Sequence, residues 1–355
     1  MLRRNTAVKN QIKLLALGFC FCLPGCNSTP TSEIDAIFAD YSGNRPGAAV
    51  LVIKGSKPIL KRTYGQANIE SKTAINDQTN FRLASISKHF TALAILMLVD
   101  EGKIHLNSTL SEIFMDFPAY GEHIRIVHLL QHRSGLLDYE GLVATDAKHQ
   151  VHDKDVLQLM RQQTGTYFPP GTAYRYSNSA YAVLAMIVEQ VSGNPFHEFL
   201  KLRIFQVSGL DRTLAYIDGV NTVAERAFGY TVANGEVRSS DQSLYSAVLG
   251  DGGVYSSLAD LSHWHNVNYG ADLISANLMR RALTPQLENY GFGWRIDTYQ
   301  GHRRYHHSGS TSGFRNYIAR FPDEQLTIIV LTNRAEPDVQ PLAQAVLDLY
   351  LKSRD

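Results

Sequence analysis

Cysteine is nearly absent from this chain of 355 residues, and its three cysteines, Cys20, Cys22 and Cys26, all lie close to the N-terminus. The rest of the chain therefore has no thiol pair for a disulfide framework. It also has no cysteine that could serve as a nucleophile, which excludes the thiol hydrolases as a class.

An excess of charge is missing as well, because 34 basic and 33 acidic residues leave a formal net charge of +1. A nucleic-acid-binding protein normally carries surplus basic side chains on one face, so we expect no nucleic-acid partner.

Long hydrophobic runs are also missing. The apolar stretch at residues 14–25 has twelve residues, which is too short to span a bilayer.

The first 25 residues have the pattern of a secretory signal peptide, in which basic residues precede a short apolar core. The basic residues are Arg3, Arg4, Lys9 and Lys13. Removal of residues 1–25 would leave 30 basic and 33 acidic residues, and hence a formal charge of −3. We therefore predict that the protein is exported.

The segment Leu23-Pro24-Gly25-Cys26 resembles the bacterial lipobox, whose cysteine becomes the lipidated first residue of the mature protein. The sequence thus predicts a lipoprotein on the periplasmic side of a bacterial membrane, anchored through Cys26, with residues 26–34 as a tether. Because Pro24 is unusual in a lipobox, an uncleaved interfacial anchor is the alternative. That anchor would also hold the protein outside the cytoplasm.

Strand patterns lie towards both ends of the remaining chain, and helical patterns fill its middle. The strand patterns are at residues 48–53, 59–64, 291–297, 317–321 and 325–332, and the clearest helical patterns are at 32–41, 90–101, 181–191 and 341–351. This order predicts an α/β fold of the α+β type, with an antiparallel sheet built from both termini and flanked by helices. We expect one domain over residues 35–355, with an inserted, mainly helical subdomain at about 80–285.

Ser85 and Lys88 form the first of three motifs that suggest chemistry. Residues spaced i and i+3 lie on one face of a helix, so the hydroxyl and the amine should be neighbours. A serine hydroxyl is a poor nucleophile until a base takes its proton, and a neutral lysine amine can be that base. Such pairs also arise by chance, and a helix N-cap followed by a solvated lysine is the better explanation of this motif when it is taken alone.

Tyr176 and Asn178 form the second motif, in a loop directly before a predicted helix. A loop on a rigid support can present a phenol for proton transfer and an amide that binds a substrate carbonyl. A loop tyrosine that merely packs on the core is the alternative for this motif.

His307 begins the third motif and is followed by Ser308, Gly309 and Ser310, in front of the last strand pair. A cationic side chain near a sheet edge, followed by small residues, suits the binding of a substrate carboxylate along the strand. The alternative is an ordinary strand histidine whose direction follows from strand alternation.

The three motifs occur in the order Ser85-x-x-Lys88, Tyr176-x-Asn178, His307-x-Gly309, and together they resemble the signature of the penicillin-recognising serine hydrolases. The Y-x-N form is similar to the branch that holds class C β-lactamases, D-alanyl-D-alanine carboxypeptidases, D-amino-acid peptidases and related esterases. The resemblance covers about residues 35–351. It implies a β-lactamase/transpeptidase-like fold that works without a metal or an organic cofactor.

The resemblance also implies a role for each motif residue. Ser85 would attack a carbonyl to form an acyl-enzyme, and Lys88 and Tyr176 would share the proton transfers. The substrate-binding residues would be Asn178 for the amide, Ser308 for a carboxylate, His307 and Gly309 in the place of K-T-G, and Ser310, whose N–H would form the oxyanion hole with that of Ser85. We expect a small-molecule or peptide substrate and a monomeric protein.

The histidine at position 307 departs from the lysine of K-T-G, because an imidazole is neutral over much of the physiological pH range. In the family, H-x-G is usual among peptidases and esterases. We therefore expect cleavage of D-Ala-D-Ala, other D-amino-acid peptides or esters in the cell envelope. A β-lactamase of the class C type is one alternative, and a non-catalytic, peptidoglycan-binding lipoprotein is another, which the presence of all the reactive side chains disfavours.

Two other classes of hydrolase lack their motifs in this sequence. An α/β-hydrolase requires G-x-S-x-G, and the nearest stretch, residues 309–313, has Thr311 at its centre. A zinc hydrolase of the H-E-x-x-H type is excluded because that motif is absent. His263 and His265 are spaced i and i+2, so they would point apart on a helix.

Overall fold

The computed structural model describes residues 30–351, and within them the chain forms eleven α-helices and thirteen β-strands. The helices are Pro30–Ile37 (α1), Lys88–Asp100 (α2), Leu110–Ile113 (α3), Ile126–Leu130 (α4), Asp153–Arg161 (α5), Asn178–Ser192 (α6), Phe196–Leu200 (α7), Leu249–Gly252 (α8), Leu258–Asn266 (α9), Ala276–Ala282 (α10) and Val339–Asp348 (α11). The strands are Ala48–Lys54 (β1), Lys57–Tyr64 (β2), Gln66–Asn68 (β3), Thr73–Ala74 (β4), Phe81–Arg82 (β5), Leu214–Ala215 (β6), Tyr230–Ala233 (β7), Glu236–Ser239 (β8), Val254–Ser256 (β9), Arg295–Tyr299 (β10), His302–Thr311 (β11), Phe314–Phe321 (β12) and Leu326–Thr332 (β13).

The main sheet has six antiparallel strands in the order β10-β11-β12-β13-β1-β2. Strands β1 and β2 come from the N-terminal part of the described chain, and strands β10 to β13 come from its C-terminal part. The antiparallel sheet predicted from both termini is therefore confirmed. Helices α2 to α10 lie in the chain between β2 and β10, together with three small sheets that the sequence patterns did not predict.

Both faces of the main sheet are covered, which explains the unbroken apolar run in β1. Alternate side chains of a strand point to opposite faces. Ala49, Leu51 and Ile53 join the large core under α2 and α6, whereas Ala48, Val50 and Val52 join a second core. Helices α1 and α11 supply that second core through Ile34, Val339, Ala343, Val346 and Leu347, and Phe38, directly after α1, also joins it.

Several predicted boundaries differ from the structure. The helix predicted at residues 32–41 is α1, which begins at Pro30, followed by a short 3₁₀ helix at Ala39–Tyr41. The predicted tether at 26–34 is thus helical from residue 30 onwards, because the buried Ile34 anchors α1 to the second core. The signal peptide and the lipidation site Cys26 lie outside the described residues. None of the helices in residues 30–351 is long and apolar enough to cross a membrane.

Candidate active site

Ser85 is the one accessible residue in a long buried segment. Every other residue from 81 to 98 is buried, whereas Ser85 is half-buried. It lies in a 3₁₀ helix, Ala84–Ser87, that leads directly into α2. The residue before it, Ala84, has a φ of +51°, a conformation that is uncommon outside glycine and often occurs at functional sites. The chain therefore turns sharply where it presents the Ser85 hydroxyl to solvent.

Lys88 contacts Ser85, as the sequence predicts. Its Nζ donates to Ser85 Oγ at 3.1 Å, and the lysine side chain is completely buried. In a 3₁₀ helix, residues i and i+3 lie directly above one another, which brings these two side chains together. The second and third donors of the ammonium go to Asn178 Oδ1 at 2.9 Å and to the carbonyl oxygen of Asp251 at 2.8 Å.

This arrangement suits both protonation states of Lys88. The ammonium has three N–H donors, and three acceptors surround it. After loss of one proton, the two remaining N–H groups can stay on Asn178 and on the Asp251 carbonyl, while the lone pair faces Ser85 Oγ. The buried amine can therefore take the hydroxyl proton without moving its neighbours.

Asn178 connects the second motif to the first. It is the first residue of α6, whose N-cap, Ser177, accepts a hydrogen bond from the N–H of Ala180. While its Oδ1 accepts from Lys88, its Nδ2 donates to Glu140 Oε1 at 2.8 Å. The helix terminus thus fixes an amide between the lysine and a carboxylate.

The hydroxyl of Tyr176 makes no hydrogen bond to Ser85 or Lys88 in this structure, and its predicted role in proton transfer stays a prediction. This hydroxyl is buried and has no hydrogen-bond partner within residues 30–351. The ring itself lies beside the site, with Lys88 Nζ at 4.9 Å from its centroid and the ring of His132 at 4.2 Å. Tyr176 therefore contacts Lys88 through its aromatic face, and its hydroxyl must shift to reach Ser85.

Strand β11 brings the third motif against the nucleophile through Gly309. A Cβ atom at this position would lie 2.0 Å from the carbonyl oxygen of Leu83 and 3.3 Å from the Cβ of Ala84. Only glycine lets the strand pass so close to the segment that carries Ser85. The next residue, Ser310, is exposed and lines the same cleft as Ser85.

We expect Gly309→Ala to destabilise the protein by about 1–3 kcal/mol and to lower the reactivity of Ser85, because the added methyl group meets backbone that cannot yield. Thermal unfolding and labelling by a fluorophosphonate probe would measure the two effects. Gly165→Ala is the matched control, since its Cβ would meet no atom within 4 Å. Equal stability of the two variants would contradict this account of Gly309.

His307 is buried and neutral, in contrast to a lysine at the same place. Its Nδ1 lies 2.7 Å from the carbonyl oxygen of Ser308 and its Nε2 lies 3.0 Å from the hydroxyl of Tyr290. A carbonyl only accepts, so Nδ1 carries the proton and Nε2 accepts from Tyr290. Burial, together with the nearby Lys88 ammonium, holds the pKa of His307 well below its usual value. His307 therefore offers no positive charge to a substrate carboxylate.

We expect Tyr290→Phe to raise the pKa of His307, because the hydrogen bond that it removes stabilises the neutral imidazole. It should also destabilise the fold by about 1–3 kcal/mol, since a buried acceptor loses its donor. Titration of the imidazole nitrogens by ¹⁵N NMR would measure the pKa directly. An unchanged titration of His307 would show that Tyr290 does not set its protonation state.

A cavity of about 320 Å³ opens above Ser85. Its lining includes three of the predicted site residues, Ser85, Asn178 and Ser310, together with Glu140 and Asp251. Lys88 lies buried beneath it. Tyr176, His307, Ser308 and Gly309 are not part of the lining, so the structure divides the predicted residues between the cleft and its supporting wall.

Sequence patterns missed Glu140, Asp251 and Tyr290. Each lies far in sequence from the residue that it contacts: Glu140 is 38 residues from Asn178, and Asp251 is 163 residues from Lys88. No local motif marks them. For Glu140 and Asp251, the available signal is an acidic residue in a Gly-rich or Tyr-containing loop, which is too common to be informative.

The family model described as Beta-lactamase matches residues 34–351. The chain belongs to the beta-lactamase family. The geometry of Ser85, Lys88 and Asn178 is thus that of a serine hydrolase built on the fold shared by beta-lactamases and penicillin-binding proteins.

Curated relatives of this beta-lactamase-family protein include penicillin-binding protein 4* of Bacillus subtilis, which is 32% identical over 81% of this chain and 68% of its own length. D-aminopeptidase of Brucella ovis is 28% identical over 86% of this chain. The match spans 59% of the length of that D-aminopeptidase, so the relative has a substantial part with no counterpart here.

Solved structures of the same fold include the octameric penicillin-binding protein homologue from Pyrococcus abyssi, with a TM-score of 0.79 and 26% identity over 90% of this chain and 76% of that one. The D-amino acid amidase from Ochrobactrum anthropi, in complex with L-phenylalanine amide, has a TM-score of 0.77 and 21% identity over 91% of this chain and 98% of that one. At this identity the amidase supports the shared fold alone. The monomeric state expected from sequence remains a prediction.

Proposed function

We propose that the protein hydrolyses amide or ester bonds of D-amino-acid compounds through an acyl-enzyme on Ser85. One observation carries the proposal: the single accessible residue of a buried segment is a serine whose Oγ lies 3.1 Å from the Nζ of a buried lysine. The cleft above it has room for a small acyl group. Relatives named D-aminopeptidase and penicillin-binding protein support the class of substrate.

In the acylation step, neutral Lys88 takes the proton from Ser85 Oγ as this oxygen bonds to the substrate carbonyl carbon. The bond from that carbon to the leaving nitrogen or oxygen then breaks, and the leaving group receives this proton from the Lys88 ammonium, either directly or through the Tyr176 hydroxyl, which takes a proton from Lys88 as it gives up its own. In deacylation, water adds to the ester carbon as its proton passes to Lys88, which is neutral again. The bond from that carbon to Ser85 Oγ then breaks, Oγ takes the proton back from Lys88, and the acid is released.

The developing oxyanion requires donors, and the N–H groups of Ser85 and Ser310 are our candidates. Both residues line the cleft. The neutral His307 supplies no cation there, which favours amides and esters that lack a carboxylate next to the cleaved bond over β-lactams that carry one. A class C type β-lactamase and a non-catalytic peptidoglycan-binding lipoprotein are the alternatives.

We also propose that the enzyme works in the cell envelope, exported by residues 1–25 and anchored through a lipid on Cys26. The support for this proposal is the basic and apolar N-terminal pattern followed by the lipobox-like segment. Metabolic labelling with a radioactive fatty acid, compared between the wild type and Cys26→Ser, would test the anchor.

A hydrolysis panel of D-Ala-D-Ala peptides, other D-amino-acid peptides or amides, small esters and β-lactams tests the proposed activity. We expect measurable cleavage of an ester or a D-amino-acid compound and weak turnover of β-lactams. Rapid hydrolysis of a cephalosporin would favour the β-lactamase alternative. Failure of every substrate, with no probe labelling of the folded protein, would favour the binding protein.

A further inference from the structure

Two of the charged side chains that line the cleft, Arg82 and Asp251, already form hydrogen bonds to neighbouring protein groups. Arg82 lines the cleft but is only 3% exposed, and its Nη2 donates to the carbonyl oxygen of Ser246 at 2.6 Å. The carboxylate of Asp251 accepts from the hydroxyl of Tyr139 at 3.0 Å. Both side chains therefore stabilise the walls of the cleft, and we do not expect either of them to bind a substrate.

Glu140 is different, because its carboxylate is half-buried in the cleft and has no cationic partner. Within residues 30–351, no lysine, arginine or histidine lies within salt-bridge distance of it. Its Oε1 accepts one hydrogen bond, from Asn178 Nδ2 at 2.8 Å. The three donors of Lys88 are all directed to other acceptors. A carboxylate can accept about four hydrogen bonds, so Glu140 has capacity left for a donor from a substrate.

The backbone around Glu140 is held in place before any ligand arrives. The hydroxyl of Tyr245 donates to the carbonyl oxygen of Glu140 at 3.2 Å. The N–H of Tyr139 donates to Ser179 Oγ at 2.9 Å, and that hydroxyl donates in turn to the carbonyl oxygen of Leu137 at 2.6 Å. These bonds tie the loop to the start of α6, so little ordering is needed when the carboxylate binds a partner.

We propose that Glu140 binds the free α-ammonium group of the residue whose carbonyl Ser85 attacks. This inference rests on the proposed function and names the substrate class more narrowly: amides and peptides with an unblocked N-terminal D-residue, which is released as the free amino acid. The α-nitrogen of such a residue is two bonds from the reacting carbon. Ser85, Asn178 and Glu140 line the same cleft of about 320 Å³, so a small substrate acylating Ser85 can also present its α-nitrogen to the carboxylate.

Glu140 also favours one of two modes of peptide cleavage, the removal of a C-terminal or of an N-terminal residue. A carboxypeptidase must recognise a C-terminal carboxylate, and a carboxylate side chain in the cleft repels one. An enzyme that removes an N-terminal residue must recognise an ammonium group, which Glu140 attracts through a charge-assisted hydrogen bond. The cleft therefore favours the N-terminal mode.

The test compares D-alanine p-nitroanilide, its N-acetyl derivative and p-nitrophenyl acetate, with wild type and Glu140→Gln. Glutamine can still accept from Asn178 but carries no charge. We expect kcat/KM for the free-amine anilide to fall about 10- to 100-fold, mainly through KM, because one charged hydrogen bond is lost. Any loss through Asn178 should affect all three substrates equally, so the free-amine anilide should lose about tenfold or more beyond the loss for the acetylated anilide and the ester. Glu122→Gln, at an exposed carboxylate elsewhere, is the matched control.

Three outcomes would overturn the inference. A wild-type preference for the acetylated anilide would do so while leaving the proposed function intact. An equal loss on all three substrates would show that Glu140 serves the chemistry and does not recognise the ammonium group. No cleavage at all, without probe labelling of Ser85, would remove the proposed function and this inference with it.

Discussion

Ser85→Ala abolishes turnover and covalent labelling, with an expected loss in kcat on the order of 10⁶-fold, as is usual when a serine nucleophile is removed. The fold should survive, because Ser85 is half-buried and its Oγ accepts a hydrogen bond only from Lys88 among the described residues. Hydrolysis of p-nitrophenyl acetate and labelling by a fluorescent penicillin or a fluorophosphonate would measure the loss. Thermal unfolding would confirm that the variant is folded.

Ser87→Ala provides the matched control within the same 3₁₀ helix. Ser87 is completely buried, and its Oγ accepts a hydrogen bond from the N–H of Val254 at 3.1 Å. Loss of this acceptor should lower the free energy of unfolding by about 1–3 kcal/mol while labelling continues. If Ser85→Ala and the wild type are labelled equally, or if Ser87→Ala alone abolishes labelling, Ser85 is not the nucleophile.

The contrast between these two serines shows how far the sequence determines the site. The spacing of Ser85 and Lys88 predicts their contact, because i, i+3 geometry is local and holds for both kinds of helix. The sequence does not show, however, that Ser85 is accessible and Ser87 is buried, since both precede the same apolar helix. The structure separates them by burial, which depends on β9 and β11 packing from distant parts of the chain.

Part of the main sheet is predictable for a similar reason, since β1 and β13 are marked by dense apolar runs and β2 follows β1 after a short turn. The full length of β11 is not, because its residues His302–Thr311 are mostly polar. Several of them carry ion pairs or the third motif: Arg304 and His306, for example, both bind Asp297 on β10. Contacts across strands thus replace the hydrophobic pattern as the reason that this segment is extended.

Distant contacts also determine the charge of the site, which the motifs alone describe incorrectly. His307 occupies the position of a cation in the related K-T-G motif, yet burial and the nearby Lys88 hold its pKa well below the usual value, so the ring is neutral. The charge that remains accessible in the cleft is the negative one of Glu140. We therefore expect residues outside the three motifs to contribute to the specificity of the site.

Tyr176→Phe should lower the activity of the protein without lowering its stability. If the hydroxyl carries protons between Ser85 and the leaving group, its loss should lower kcat/KM by about 10²–10⁴-fold. The stability should be unchanged or slightly higher, because a buried hydroxyl without a hydrogen-bond partner among residues 30–351 contributes a desolvation cost and no bond. Phenylalanine retains the ring that lies 4.9 Å from Lys88 Nζ.

Kinetics on the D-amino-acid anilide and thermal unfolding would measure the two quantities on one preparation. Tyr174→Phe, in the same loop, is the matched control, and we expect its activity to remain within a few-fold of the wild type. A fall in stability of Tyr176→Phe without a fall in activity would reverse the assignment and make the hydroxyl structural. The position of the Tyr176 ring, 4.9 Å from Lys88 Nζ, is the reason to expect the opposite, because the Tyr174 hydroxyl is likewise buried without a hydrogen-bond partner among residues 30–351.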